Sequence, residues 1–137
     1  ADGPSGVGTN TWVGQSSPAH ATASGKLLLT ELSDSEIAER VGESPIALTS
    51  ETLTDVPALV ESLNSIRERG WAESQEELEL GLNAVSVPIR DYTSKMIAAL
   101  SVSGPAYRLL PERFEDVARA ALDTSQRISN RLGYAVT

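Results

Sequence analysis

The sequence predicts an α+β domain in which helices pack against an antiparallel sheet. Three observations carry that prediction. Capped helix starts and apolar residues at helical spacing dominate up to residue 70, two later runs alternate like strands around a short polar connection, and one long amphipathic segment follows. A length of 137 residues suits one domain with its own core.

Residues 1–19 carry Gly3, Gly6, Gly8 and Gly14 among Ser, Thr and Asn, with Pro4 and Pro18 as punctuation, which is loop chemistry. A short strand is expected at Thr9–Val13. So long an opening loop suggests that elements lie upstream of it. A helix-prone run then ends in Leu27-Leu28-Leu29, and its first turn is made of small residues, Ala21 to Gly25, as a close backbone contact requires. Ser33 and Glu36 form a capping box for a helix to about Val41, which Gly42 stops. Thr54-Asp55 caps another helix, with Pro57 in its first turn, a stripe of Val56, Leu59, Leu63 and Ile66, and Gly70 at its end.

The period then changes. Leu82–Ile89 alternates with Val85, Val87 and Ile89 on one face. Residues 90–95 are a polar connection. Met96–Ser103 is read as the second strand of a hairpin, with Met96, Leu100 and Val102 on one face and Ile97, Ala99, Ser101 and Ser103 on the other. Gly104-Pro105 ends it. Pro111 opens a final helix to about Leu132, with Phe114, Val117, Ala121, Ile128 and Leu132 expected to face the core and Gly133 to close it.

Composition narrows the function. Nineteen acidic against eleven basic residues give a net charge of −8, which disfavours a grip on a phosphate backbone or an anionic membrane by this chain alone. With no cysteine, disulfides, thiolate catalysis and iron–sulfur clusters are excluded, and a cytoplasmic setting is expected. No apolar run reaches the length of a membrane span, and the first residues given do not show a basic-then-apolar signal-peptide pattern. Aromatics at 4% leave little for stacking on single-stranded nucleic acid.

Few residues suggest chemistry. His20 is the only histidine, one helical turn from Ser24, and is better read as a cap or a packed side chain than as a catalytic base. Glu73, Glu76, Glu77 and Glu79 read as a solvated acidic turn rather than a metal cage. Gly6-Val7-Gly8 is too short for a phosphate loop. Ser101 and Ser103 are more informative, since two hydroxyls at i and i+2 share one face of an otherwise apolar strand and need partners if buried. They suit the wall of a small polar cavity. Ala23-Ser24-Gly25 would leave backbone N–H groups bare at a helix start, or would simply permit tight packing.

Four segments, in order and in spacing, resemble a known family. Pro18-Ala19-His20-Ala21-Thr22-Ala23-Ser24-Gly25-Lys26 is similar to a P-x-H-A-T-A-x-G-K signature. Ile66 to Trp71 matches I-R-x-x-G-Y/W, Glu76 to Leu82 matches E-E-x-x-x-G-x, and Ala98 to Pro105 matches A-A-L-S-V-S-G-P. Leu109-Leu110-Pro111-Glu112-Arg113 adds the closing L-x-P-E-R. Together they resemble the effector-binding domain of IclR-type bacterial transcription regulators, from about residue 10 to the end.

The resemblance implies a GAF/profilin-like fold and a ligand-sensing domain without catalytic residues, metal or cofactor. Residues 1–137 are then expected to be the later, larger part of the effector domain, with its first strands and an N-terminal winged helix-turn-helix outside this chain. By position, the resemblance assigns Ala23, Ser24, Gly25, Ser74, Ala84, Ser101 and Ser103 to the effector site. Two positions depart from the family. Ser74-Gln75 stands where many relatives are acidic, and Asn83-Ala84 where many have Arg-Cys; these bear on effector identity. The expected ligand is a small organic acid, the expected assembly a homo-oligomer, dimer or tetramer, and DNA is expected to be met only through the N-terminal domain. A serine hydrolase using Ser24 or Ser101 with His20, and a ligand-free oligomerisation module, are the alternatives.

Overall fold

The computed structural model describes residues 18–133. The expected strand at Thr9–Val13 lies outside them. Three helices come first: α1 (Ala23–Leu29), α2 (Asp34–Val41) and α3 (Val56–Arg69). A three-stranded sheet follows, β1 (Ala72–Gln75), β2 (Leu82–Arg90) and β3 (Met96–Pro105), and a 3-10 turn at Pro111–Arg113 leads into α4 (Phe114–Arg131). The strands are antiparallel in the order β1-β2-β3, so the α+β class read from the sequence is the class of the fold.

The helix boundaries follow the cap chemistry. Ser33 Oγ accepts from Glu36 N at 3.3 Å while Ser33 N donates to Glu36 Oε1 at 2.9 Å, closing the capping box of α2. Asp55 Oδ1 accepts from Ala58 N at the start of α3, and Gly70 ends that helix in the left-handed region at φ 87°, with its N–H on the Ile66 carbonyl. Leu59, Leu63 and Ile66 are buried along the predicted stripe.

The sheet separates two cores. On one side, Ala23, Leu27 and Leu29 of α1 pack with Ile37, Leu59, Leu63, Ile66, Ala72 and Met96, and Ala84 and Ala99 lie against them. On the other, Val85 packs with Leu109 and with Phe114 and Ala118 of α4.

Three expectations are corrected. First, β1 is a strand where an acidic turn was expected to begin; Ala72 and Ser74 are buried while Gln75 is exposed. Second, Met96 joins the α1-side core with Ala99, not the side of Leu100 and Val102. The register gives the reason: Ile89 pairs with Ala98 but Arg90 pairs with Met96, so Ile97 is an inserted residue and the alternation slips by one. Third, α4 buries Phe114, Ala118, Ala121, Ser125 and Ser129, while Leu132 is 41% exposed. Small residues let α4 lie close to β2, and the hydroxyls are satisfied: Ser129 Oγ accepts from Arg90 N and Ser125 Oγ donates to the Leu122 carbonyl.

The capping box carries a pH dependence. Hydrogen bonds from the Ser33 backbone and hydroxyl hold the Glu36 carboxyl below its ordinary value of 4.5. A carboxyl depressed on folding stabilises fully above its unfolded value, and that contribution disappears as pH falls through the folded one. Ser33→Ala keeps the backbone N–H, the larger cause, and removes only the hydroxyl, so it should raise the Glu36 midpoint part of the way in a carbon-detected NMR titration; an unmoved midpoint would leave the backbone N–H as the whole cause.

Candidate functional site

The strand register gathers most of the candidate residues. Ser74 pairs with Ala84, and Ala84 with Ser103, so three of them form one row across the sheet. The next row is Ala72, Ser86 and Ser101. Alternation puts both rows on one sheet face, and the packing of Ala72, Ala84 and Ala99 with α1 identifies it as the face α1 covers. The four sheet candidates and the start of α1 thus share one side of the molecule.

Their chemical states differ. Ser74 is buried and its Oγ donates to the Ala21 carbonyl at 2.9 Å, fastening the turn before α1 to β1. Ala84 is half-buried against α1. Ser101 and Ser103 are exposed on β3. Ser101 Oγ is hydrogen-bonded to Ser86 Oγ, and Ser103 Oγ meets no partner among the described residues. Ser86 is a residue the sequence reading missed. It is fully buried, like Val85 and Val87 beside it, but carries a hydroxyl and faces α1 rather than α4.

The start of α1 is built for closeness. Thr22 caps the helix, its Oγ1 accepting from Gly25 N at 3.0 Å. The Gly25 amide is therefore engaged, not bare. A side chain at Gly25 has no room, because a Cβ would stand 2.5 Å from Thr22 Oγ1 and 2.6 Å from Ala19 Cα. Ala23 is buried toward the sheet and Ser24 is half-buried. Ala23 and Ser24 N–H groups have no hydrogen-bond partner among the described residues.

Lys26 is not available as a ligand-facing cation. Its Nζ donates to both carboxylate oxygens of Glu77, at 2.9 and 3.1 Å, and the two residues are 2% and 8% exposed. Gln75 N also donates to Glu77 Oε2 at 3.2 Å, and Thr52 Oγ1 to the Glu77 carbonyl at 2.6 Å. The expectation that Glu73, Glu76, Glu77 and Glu79 form a solvated turn is corrected accordingly. Glu77 is an interior ion-pair partner, Glu73 pairs with Arg69, and Glu76 Oε1 accepts from Gly81 N. No group of three His, Cys, Asp or Glu that could hold a metal occurs among the described residues.

His20 is packed, as expected, at 6% exposure, with Nε2 donating to the Ile46 carbonyl at 2.7 Å. It makes no hydrogen bond to Ser24 or Ser101 among the described residues. The two departures from the family pattern separate by face. Ala84 lies on the α1 side, whereas Asn83 is on the α4 side, its Nδ2 donating to the Leu109 carbonyl. A shallow cleft lined by Pro88, Arg90, Leu122, Ser125, Gln126 and Ser129 lies between β2 and α4. No helix among the described residues is long and apolar enough to cross a membrane.

The family described as the bacterial transcriptional regulator IclR C-terminal domain matches residues 2–130. The HTH-type transcriptional repressor AllR of Salmonella paratyphi A is 38% identical over 122 residues, 88% of this chain and 45% of that protein. AllR of Escherichia coli K12 is 35% identical over the same shares. The chain thus spans less than half the length of these relatives. Among solved structures, the C-terminal domain of the E. coli transcriptional regulator KdgR superposes with a TM-score of 0.75 at 33% identity, covering 85% of this chain and 71% of that one. A double mutant of the inducer-binding domain of PobR from Acinetobacter, in complex with 3-hydroxybenzoic acid, gives a TM-score of 0.73 at 32% identity, covering 86% of this chain and 66% of that one. The proteins it resembles are regulators rather than enzymes, and the chain belongs to the IclR family of bacterial transcriptional regulators, to the C-terminal domain of that family.

Proposed function

We propose that this chain is an effector-sensing domain that binds a small organic acid between the start of α1 and the hydroxyl-bearing face of β1, β2 and β3. The observation that carries the reading is the pair of cross-strand rows, Ser74-Ala84-Ser103 and Ala72-Ser86-Ser101, on the side facing α1. The side chains there are small, the exposed Ser101 and Ser103 hydroxyls supply donors, and neither row contains a carboxylate that would repel an anion. Ser74 replaces the acid and Ala84 the cysteine that the family pattern leads one to expect, which favours an uncharged, compact wall. Ala23, Ser24 and Gly25 would form the helix side, with Gly25 behind the surface rather than on it. With Lys26 paired to Glu77, recognition of the acid rests on hydroxyl and amide donors, which suits a keto acid, a hydroxy acid or an aromatic carboxylate. The complex between the PobR inducer-binding domain and 3-hydroxybenzoic acid supports an aromatic acid as one such class.

In the whole protein, ligand binding would bias a quaternary arrangement of a homo-oligomer and so the DNA affinity of a separate N-terminal domain, in a cytoplasmic regulator. A serine hydrolase is disfavoured by His20, whose Nε2 is committed to the Ile46 carbonyl.

The test uses pyruvate, lactate and 3-hydroxybenzoate as probes, in calorimetric titration and thermal unfolding. At ~100 times its dissociation constant a bound probe should stabilise the chain by about 2.7 kcal/mol. Ser101→Ala and Ser103→Ala should each weaken binding by about 1–3 kcal/mol, and Ser24→Leu should block it by bulk. Wild-type binding in all three variants would place the ligand elsewhere.

A further inference from the structure

We infer that Ser86 is a positioning residue for effector recognition, turning the Ser101 hydroxyl outward as a hydrogen-bond donor to an anionic oxygen. The inference rests on the effector site proposed above. Ser86 lies directly opposite Ser101 in the β2–β3 register, is 0% exposed, and its Oγ is hydrogen-bonded to Ser101 Oγ. Among the described residues, Ser101 is the side chain its hydroxyl meets.

Each hydroxyl has one proton to give and two lone pairs to receive, so the pair has two arrangements. If Ser101 donated to Ser86, the Ser86 proton would be left in the interior without an acceptor. A buried donor left unmade costs its full desolvation, whereas an exposed one can turn to water or ligand. Ser86 is the buried partner and Ser101 the exposed one. The favoured arrangement is therefore Ser86 donating to Ser101, with the Ser101 proton directed away from Ser86. A hydroxyl that already accepts a bond is polarised and donates a stronger one. Ala72, Ala84, Pro88 and Ala99 on this face carry no polar side chain to divert the pair, and Ser103, the one hydroxyl in the adjacent row beside Ser101, makes no hydrogen bond to it among the described residues. The two serines form a one-way relay from the sheet interior to the site, and the ligand atom that the freed Ser101 proton meets is an acceptor, a carboxylate or keto oxygen.

A double-mutant cycle tests this, with pyruvate and 3-hydroxybenzoate titrated against the full chain and thermal unfolding followed in parallel. Ser101→Ala should weaken binding about tenfold or more. Ser86→Ala should weaken it about threefold. The double variant Ser86→Ala/Ser101→Ala should bind like Ser101→Ala alone, because Ser86 acts only through Ser101. Ser86→Cys, close in volume and a weaker donor, should fall between wild type and Ser86→Ala. If Ser86→Ala binds like wild type while Ser101→Ala is weakened, the relay is refuted and the site stands. If Ser86→Ala weakens binding equally with and without the Ser101 hydroxyl, Ser86 only packs and the relay is again refuted. If Ser101→Ala binds like wild type, or wild type binds neither probe, the site reading and the relay fall together.

Discussion

Replacing Glu77 by alanine should cost about 3–5 kcal/mol of folding stability, the loss typical of removing one partner from a buried ion pair. Lys26 Nζ, on a residue 2% exposed, finds both of its side-chain hydrogen bonds on the Glu77 carboxylate. Truncating Glu77 leaves that ammonium in the interior with neither counter-charge nor acceptor. The loss is also topological. Glu77 receives Lys26 of α1 and Gln75 N of β1, and its carbonyl receives Thr52 Oγ1, so one residue joins the start of the chain's helical layer to the β1–β2 connection. Removing both charges together, as Lys26→Met/Glu77→Leu, should recover most of the loss, because well-packed apolar replacements of buried pairs are often neutral. The exposed pair Arg127–Asp123 on α4, with side chains 76% and 67% accessible, is the control; Arg127→Ala should change stability by about 0.5 kcal/mol or less. Urea unfolding at neutral pH decides the matter. A loss below about 1 kcal/mol for Glu77→Ala would mean that water reaches Lys26 and that the pair is not interior in solution.

Why Glu77 was misread shows where the sequence stops being informative. The caps of α2 and α3 were legible because Ser33, Glu36, Asp55 and Gly70 act on backbone groups within four residues of themselves. Lys26 and Glu77 are 51 positions apart, and nothing local separates an acid destined for a buried partner from three acids nearer the surface. β1 was missed for a related reason. Only Ala72 and Ser74 of its four residues point inward, and neither is apolar enough to register as a strand face. Met96 was put on the wrong side because alternation presumes an uninterrupted ladder, and the inserted Ile97 breaks it. The site was legible in its sheet half. Ser101 and Ser103 stood out as hydroxyls in an apolar run, and the family resemblance added Ser74 and Ala84. Ser86 stayed hidden, since an isolated serine in a strand shows its importance only through what faces it across the sheet.

Gly25→Ala should destabilise the fold by about 1–3 kcal/mol or more, the cost of overpacking a site that cannot expand. The sign is what makes this informative. Inside a helix, alanine is ordinarily better than glycine by about 1 kcal/mol, so a glycine kept only for want of selection would yield a more stable variant. Here the added Cβ would sit 2.5 Å from Thr22 Oγ1, 2.6 Å from Ala19 Cα and 2.7 Å from Ala19 O. A side-chain oxygen could rotate aside, but two of the three obstacles are backbone, and the turn that carries them is held by Ala21 N donating to the Pro18 carbonyl at 2.8 Å. Thr22→Ala would remove one obstacle and the N-cap with it, so it should not rescue Gly25→Ala. Relief must come from moving α1 off the 18–22 turn, which also strains the bond from Ser74 Oγ to the Ala21 carbonyl and shifts Ala23 and Ser24 against the sheet. Stability and probe binding should then fall together. A variant that keeps wild-type stability and loses only probe binding would return Gly25 to the ligand surface, and one more stable than wild type would show that α1 and the turn are not in contact as described.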